Sequence, residues 1–201
     1  MKTYNEFTSI RPGLSAFAQW AEDHDGTFIP AKGNGSCGYN SISIRLFGND
    51  KKHNILRAQS VEIQKSYEKS IFCRLNEREQ KELNKVIGTA ATRRFLKSQP
   101  DAWFDSDDAM ALSIKYNVKI VILGLNTETN EVLQTFPTKS MESILRAYTP
   151  QTIIYMFHHT TKGGARDHFD VFIPNHCSNV IDDDDYDLWA KAWEQAVTVN
   201  I

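Results

Sequence analysis

After residue 117 the apolar residues stop recurring at helical intervals and gather into short strand-like runs. This switch constrains the fold more than any other feature of the chain. Lys119-Ile120-Val121-Ile122-Leu123 is a nearly unbroken apolar run, as expected of a central strand buried on both faces. Glu131 to Phe136 alternates weakly, Gln151 to Phe157 is rich in β-branched and aromatic residues, and His168 to Ile173 forms a last run closed by Pro174-Asn175. A turn at Asn126 to Asn130 and a loop at Thr161 to Arg166 separate these runs. Upstream, helical spacing dominates. Leu14 to Glu22 places Phe17 and Trp20 on one side of a short helix; Tyr39, Ile42 and Leu46 share a face that ends at Gly48-Asn49; Leu56, Ser60, Ile63 and Tyr67 share another. Asn76 reads as the cap of a helix burying Leu83 with Val86 or Ile87. Ser106 reads as the N-cap of a helix presenting Ala109, Leu112 and Tyr116 and stopping near Asn117. Helices first and strands afterwards predict an α+β fold rather than a strictly alternating α/β chain.

Composition narrows the function classes. Of 201 residues, 41% are hydrophobic and 11% aromatic, which is enough for a core and too much for a disordered chain. Lys+Arg total 23 against Asp+Glu 25, a net charge of −2, so nucleic-acid binding through an overall basic surface is not expected. No apolar run reaches about 18 residues, so no membrane span is expected. The first residues, Met1 to Glu6, show no apolar core of a secretory signal. Cys37, Cys73 and Cys177 are far apart and odd in number, which predicts a reducing, cytoplasmic compartment without a disulfide framework. One domain over 1–175 is expected. A tail over 176–201 follows, in which Asp182 to Val199 reads as an acidic-capped helix with Leu188, Trp189 and Trp193.

Chemistry concentrates at two places. Cys37 follows Gly33-Asn34-Gly35-Ser36 and opens the helix of Tyr39, Ile42 and Leu46. The positive end of a helix favours a thiolate, and the N–H groups of a glycine-rich loop can converge on one oxyanion. The alternative is a lone cysteine packed as a small hydrophobe. A nucleophilic thiol needs a base held by a third group. In His168-Phe169-Asp170-Val171 the strand alternation puts His168 and Asp170 on one face, with the aromatic and apolar residues on the other. Residues i and i+2 are roughly 6.5–7 Å apart along a strand, so the carboxylate can reach the imidazole edge. The alternative is a solvated polar face on an edge strand.

No Cys-x-x-Cys and no helical His-x-x-x-His is present, and His158-His159 point to opposite faces, so neither a metal nor another cofactor is expected. Asp101, Asp105, Asp107 and Asp108 surround Trp103 and Phe104. They read either as a capped helix start with an aromatic packed beneath it or as an acidic rim for a protein substrate.

Gly33-Asn34-Gly35-Ser36-Cys37-Gly38-Tyr39-Asn40-Ser41-Ile42-Ser43 resembles the nucleophile motif of the ovarian-tumour (OTU) cysteine proteases. Trp103, Asp108-Ala109-Met110-Ala111-Leu112-Ser113 and Tyr116-Asn117-Val118-Lys119-Ile120 are similar to a second family block, and His168-Phe169-Asp170 to its closing block. The three blocks span about residues 28 to 174 in the family's order. The resemblance implies a papain-like fold, a central sheet flanked by helices, with Cys37 as nucleophile, His168 as base and Asp170 as orienting acid. It implies an oxyanion loop at Asn34, Gly35 and Ser36, with Trp103 and Phe169 lining a narrow channel for a Gly-Gly tail. It further implies a monomer that removes ubiquitin, or a ubiquitin-like modifier, from lysine side chains or polyubiquitin chains, in the cytosol of its own cell or of a host. Two positions depart from the family: Asn34 replaces an acid, and Gly38 replaces a bulky hydrophobe. A ubiquitin-binding module without catalysis and a cysteine peptidase with another substrate are the competing readings.

Overall fold

The computed structural model describes residues 14–33, 35–66, 78, 81, 85, 89–125, 130–139, 148–160 and 167–176. Five strands form one sheet: β1 (Gly26–Ile29), β2 (Val118–Leu125), β3 (Asn130–Phe136), β4 (Thr152–Thr160) and β5 (Asp167–Pro174), in the spatial order β1-β5-β4-β2-β3. All neighbours are antiparallel except β2 and β4, which run parallel.

Both faces of β2 are covered, which is why its sequence is a continuous apolar run. Ile120 and Ile122 face one core together with Ile154, Met156, Phe169 and Val171. Val121 and Leu123 face the other, with Phe157 and Phe172. Helix α1 (Leu14–Asp23) lays Phe17 and Trp20 on the second face. The rings of Phe17 and Phe157 are 4.3 Å apart, and Trp20 meets Phe172 edge-on at 5.1 Å. The first face receives α2 (Cys37–Phe47), α3 (His53–Ser66) and α5 (Ser106–Tyr116) through Tyr39, Ile42, Leu46, Leu56, Ile63, Leu112 and Ile114. The expected α+β architecture, a sheet between helices, is the one found. Among the described residues no helix is long and apolar enough to cross a membrane.

Four local features depart from the sequence reading or are not legible in it. The N-cap of α5 is Asp105, one residue before Ser106. Its carboxylate accepts from the N–H groups of Asp107 and Asp108, while the Asp108 carboxylate accepts from the N–H of Asp105, a closed capping box. Helix α4 (Ala90–Ser98), capped by Thr89, is absent from the apolar periodicity because Phe95 and Leu96 face outward. Strand β1 is four residues long and starts with glycine, a poor strand former; it exists through its register with β5, Gly26 opposite Pro174 to Ile29 opposite Val171. Strand β5 therefore lies inside the sheet, between β1 and β4, and not at an edge. Asn130, the last residue of the expected turn at Asn126 to Asn130, opens β3; the rest of that turn, the loop at 161–166, the face residue Tyr67, the cap Asn76 with Leu83, Val86 and Ile87, and the tail helix lie outside the described residues.

Candidate active site

Cys37 is the first residue of α2 and is buried against the core. The carbonyl of Ser36 accepts the first helical hydrogen bond from the Asn40 N–H at 2.8 Å, which leaves the N–H groups of the first turn without an intrahelical acceptor. Ser36 makes no side-chain cap to them. Just upstream, Gly35 has φ +79°, the left-handed region, so the loop bends where a side chain would be strained. Gly38 meets a different demand. A Cβ on it would lie 2.3 Å from Cγ of Phe104. The bulk expected at this position is supplied from α5's approach loop instead: Phe104 packs edge-on against Tyr39 at 5.1 Å and against Phe169 at 5.4 Å, bridging α2 and β5. Gly38→Leu should therefore lower stability by about 1–3 kcal/mol in urea denaturation through overpacking, with partial recovery in Gly38→Leu/Phe104→Ala.

On β5, Nε2 of His168 lies 2.8 Å from Oδ1 of Asp170. Asp170 is fully buried, and the same oxygen accepts the N–H of Ala31 at 2.7 Å, so the carboxylate is fixed from two sides. This is not the solvated polar face that the strand pattern allowed. Cys37 lies within hydrogen-bonding reach of His168. With Nε2 turned to Asp170, Nδ1 is the ring nitrogen left for the thiol. Burial opposes a charge on the imidazole, but the hydrogen bonds and negative charges of Asp170 and Cys37 outweigh it and push the His168 pKa up to about 9. The Ser41 hydroxyl, one helical turn after Cys37, donates to the Phe169 carbonyl at 3.2 Å and ties α2 directly to the strand beside His168.

The structure brings Cys37, His168 and Asp170 together and sets Gly35 and Ser36 immediately before Cys37. Phe169 lines a cleft of about 360 Å³ with Asp105, Ser106, Ile122, Gln134 and His158, whose ring lies 4.8 Å from that of Phe169. Trp103 is about half exposed on the loop before α5 and does not line this cleft. Asn34 lies outside the described residues, as do Cys73 and Cys177. The acidic cluster divides. Asp105 and Asp108 cap α5, while Asp101 and Asp107 are exposed. Phe104 and the Ala31 N–H escape a sequence reading, because nothing local marks a backbone donor or a ring that packs on a distant glycine.

No family model and no curated protein matches the chain. Solved structures do. The OTU domain of OTUD1 superposes with a TM-score of 0.59 at 14% identity, covering 80% of this chain and 93% of that domain. The chain has the OTU fold. A Hazara virus OTU bound to ubiquitin follows with a TM-score of 0.52, 17% identity, and coverage of 76% and 83%. An OTU domain in complex with ubiquitin gives 0.52 at 14% identity, with coverage of 85% and 83%. In this OTU fold Cys37 of the helix and Phe104 pack with Phe169, the neighbour of His168 on β5, in the core on one face of the sheet.

Proposed function

We propose that the chain is a thiol-dependent deubiquitinase that hydrolyses the isopeptide bond between the C-terminal glycine of ubiquitin, or a ubiquitin-like modifier, and a lysine. One observation carries this reading: on an OTU fold, a cysteine at a helix start reaches an imidazole whose far nitrogen is held by a buried carboxylate. The Cys37 thiolate attacks the glycine carbonyl, and the N–H groups of the Asn34–Cys37 loop and helix start receive the oxyanion. A raised His168 pKa keeps the imidazole protonated at neutral pH, so it can hand its proton to the leaving lysine amine. The neutral imidazole then takes a proton from water, which attacks the thioester and frees Cys37. Asp170 keeps the ring oriented throughout.

Ubiquitin carrying a C-terminal electrophile tests the proposal. Covalent capture on Cys37, located by peptide mass spectrometry, is the expected result. Reversible binding alone would make the chain a ubiquitin-binding module. Neither would point to a cysteine peptidase with another substrate.

A further inference from the structure

Arg57 sits on α3 and is 2% exposed, an unusual place for a guanidinium. Its side chain spans two loops that are far apart in sequence. Toward the nucleophile, one terminal nitrogen donates to Oγ of Ser36, the residue before Cys37, at 2.9 Å. Toward the end of α4 and the loop that follows it, the guanidinium donates to the carbonyls of Ala102 at 2.5 Å, Pro100 at 3.1 Å and Lys97 at 3.4 Å. The guanidinium also lies over the ring of Tyr39, 4.4 Å from its centroid, on the first turn of the cysteine helix. The two loops touch at Gly35, where the Asp101 carbonyl lies 3.6 Å from the position of a Cβ.

These bonds explain a peculiarity of the helix start. Serine is a favoured N-cap because its hydroxyl can accept from the first-turn N–H groups. The Ser36 hydroxyl instead accepts from Arg57 and makes no cap. The side chain best placed to occupy the first-turn donors of α2 is held elsewhere, where it fixes the loop rather than the helix end. Lys97 secures the other side. Its ammonium donates to the Trp103 carbonyl at 2.8 Å and to buried Asp108 at 3.0 Å, and pairs with Asp105.

We infer that Arg57 is a positioning residue that locks the loop preceding Cys37 to the loop carrying Trp103, so that the two loops move as one body. The catalytic consequence rests on the proposed hydrolase reading; the mechanical one does not. A guanidinium suits the task because its planar fork can reach several acceptors at once, which an ammonium cannot match.

Ser36→Ala, Arg57→Lys and the double variant test it, with hydrogen exchange and ubiquitin-fluorophore turnover measured on the same samples. Amides in 31–37 and 99–105 should gain exchange together in each single variant, while the sheet keeps its protection. The kcat should fall about tenfold at nearly unchanged KM, and the double variant should be no slower than Arg57→Lys, since both changes break one linkage. Thermal midpoint should move little in Ser36→Ala, which keeps the buried cation and its carbonyl partners. Loosening of one loop without the other, additive losses of kcat, or full kcat in Ser36→Ala would overturn the inference. If the wild-type chain does not turn over ubiquitin yet both loops loosen together, the hydrolase reading fails and the mechanical linkage stands.

Discussion

Cys37→Ala is expected to remove hydrolysis of a ubiquitin-fluorophore substrate by roughly six orders of magnitude, to the level of buffer, because loss of a nucleophile removes the covalent route entirely. The fold should survive. Cys37 packs as a small buried side chain in the main core, and deleting one sulfur costs about 1 kcal/mol. Far-UV circular dichroism and a melting curve close to wild type, alongside absent turnover, would complete the result. Cys73→Ala and Cys177→Ala should remain active, since neither follows a glycine-rich run like Gly33 to Gly38. Retained turnover in Cys37→Ala, or a dead Cys73→Ala, would reassign the nucleophile.

The second large effect belongs to the base. His168→Ala should lower kcat about 10⁴-fold, the upper range for a positioned acid–base group. Asp170→Ala should cost less, because an imidazole without its partner keeps part of its basicity. The pH profile separates the carboxylate's charge from its shape. Below about pH 9 His168 holds its proton, so the wild-type rate should decline on the alkaline side near that value. In Asp170→Asn the amide oxygen still accepts from the Ala31 N–H, but the negative charge that opposes desolvation is gone. The His168 pKa then falls, and the alkaline limb moves to lower pH. A limb that stays near 9 in Asp170→Asn would show that the charge of Asp170 does not set the protonation of His168.

Much of the scaffold is written locally. The continuous run of Lys119 to Leu123 encodes a strand buried on both sides, and the spacing of Tyr39, Ile42 and Leu46 encodes the helix that Cys37 opens, because side-chain periodicity follows directly from backbone geometry. The pairing of His168 with Asp170 is legible for the same reason: two residues apart on a strand means one face. Where a residue's role depends on a distant segment, the local pattern is silent or misleading. Ser60 shares a helix face with Leu56 and Ile63, but nothing local marks Arg57 or Gln64 as buried; all three are, because Ser36, the 97–102 carbonyls and Asp108 arrive from elsewhere to satisfy them. Helix α4 shows outward apolar residues and so leaves no core-facing period to find.

The sequence by itself determined the place of Cys37 at a helix start, the helix-then-strand order and the shared face of His168 and Asp170, since each depends on neighbours within one turn or one strand. Tertiary structure alone decided that β5 lies inside the sheet, that Asp170 is buried and accepts the Ala31 N–H, and that Phe104 fills the space above Gly38. It alone gave Arg57 its two loops. These are long-range contacts, whose partners are selected by packing and hydrogen-bond satisfaction across the whole core, and no local pattern of residues records them.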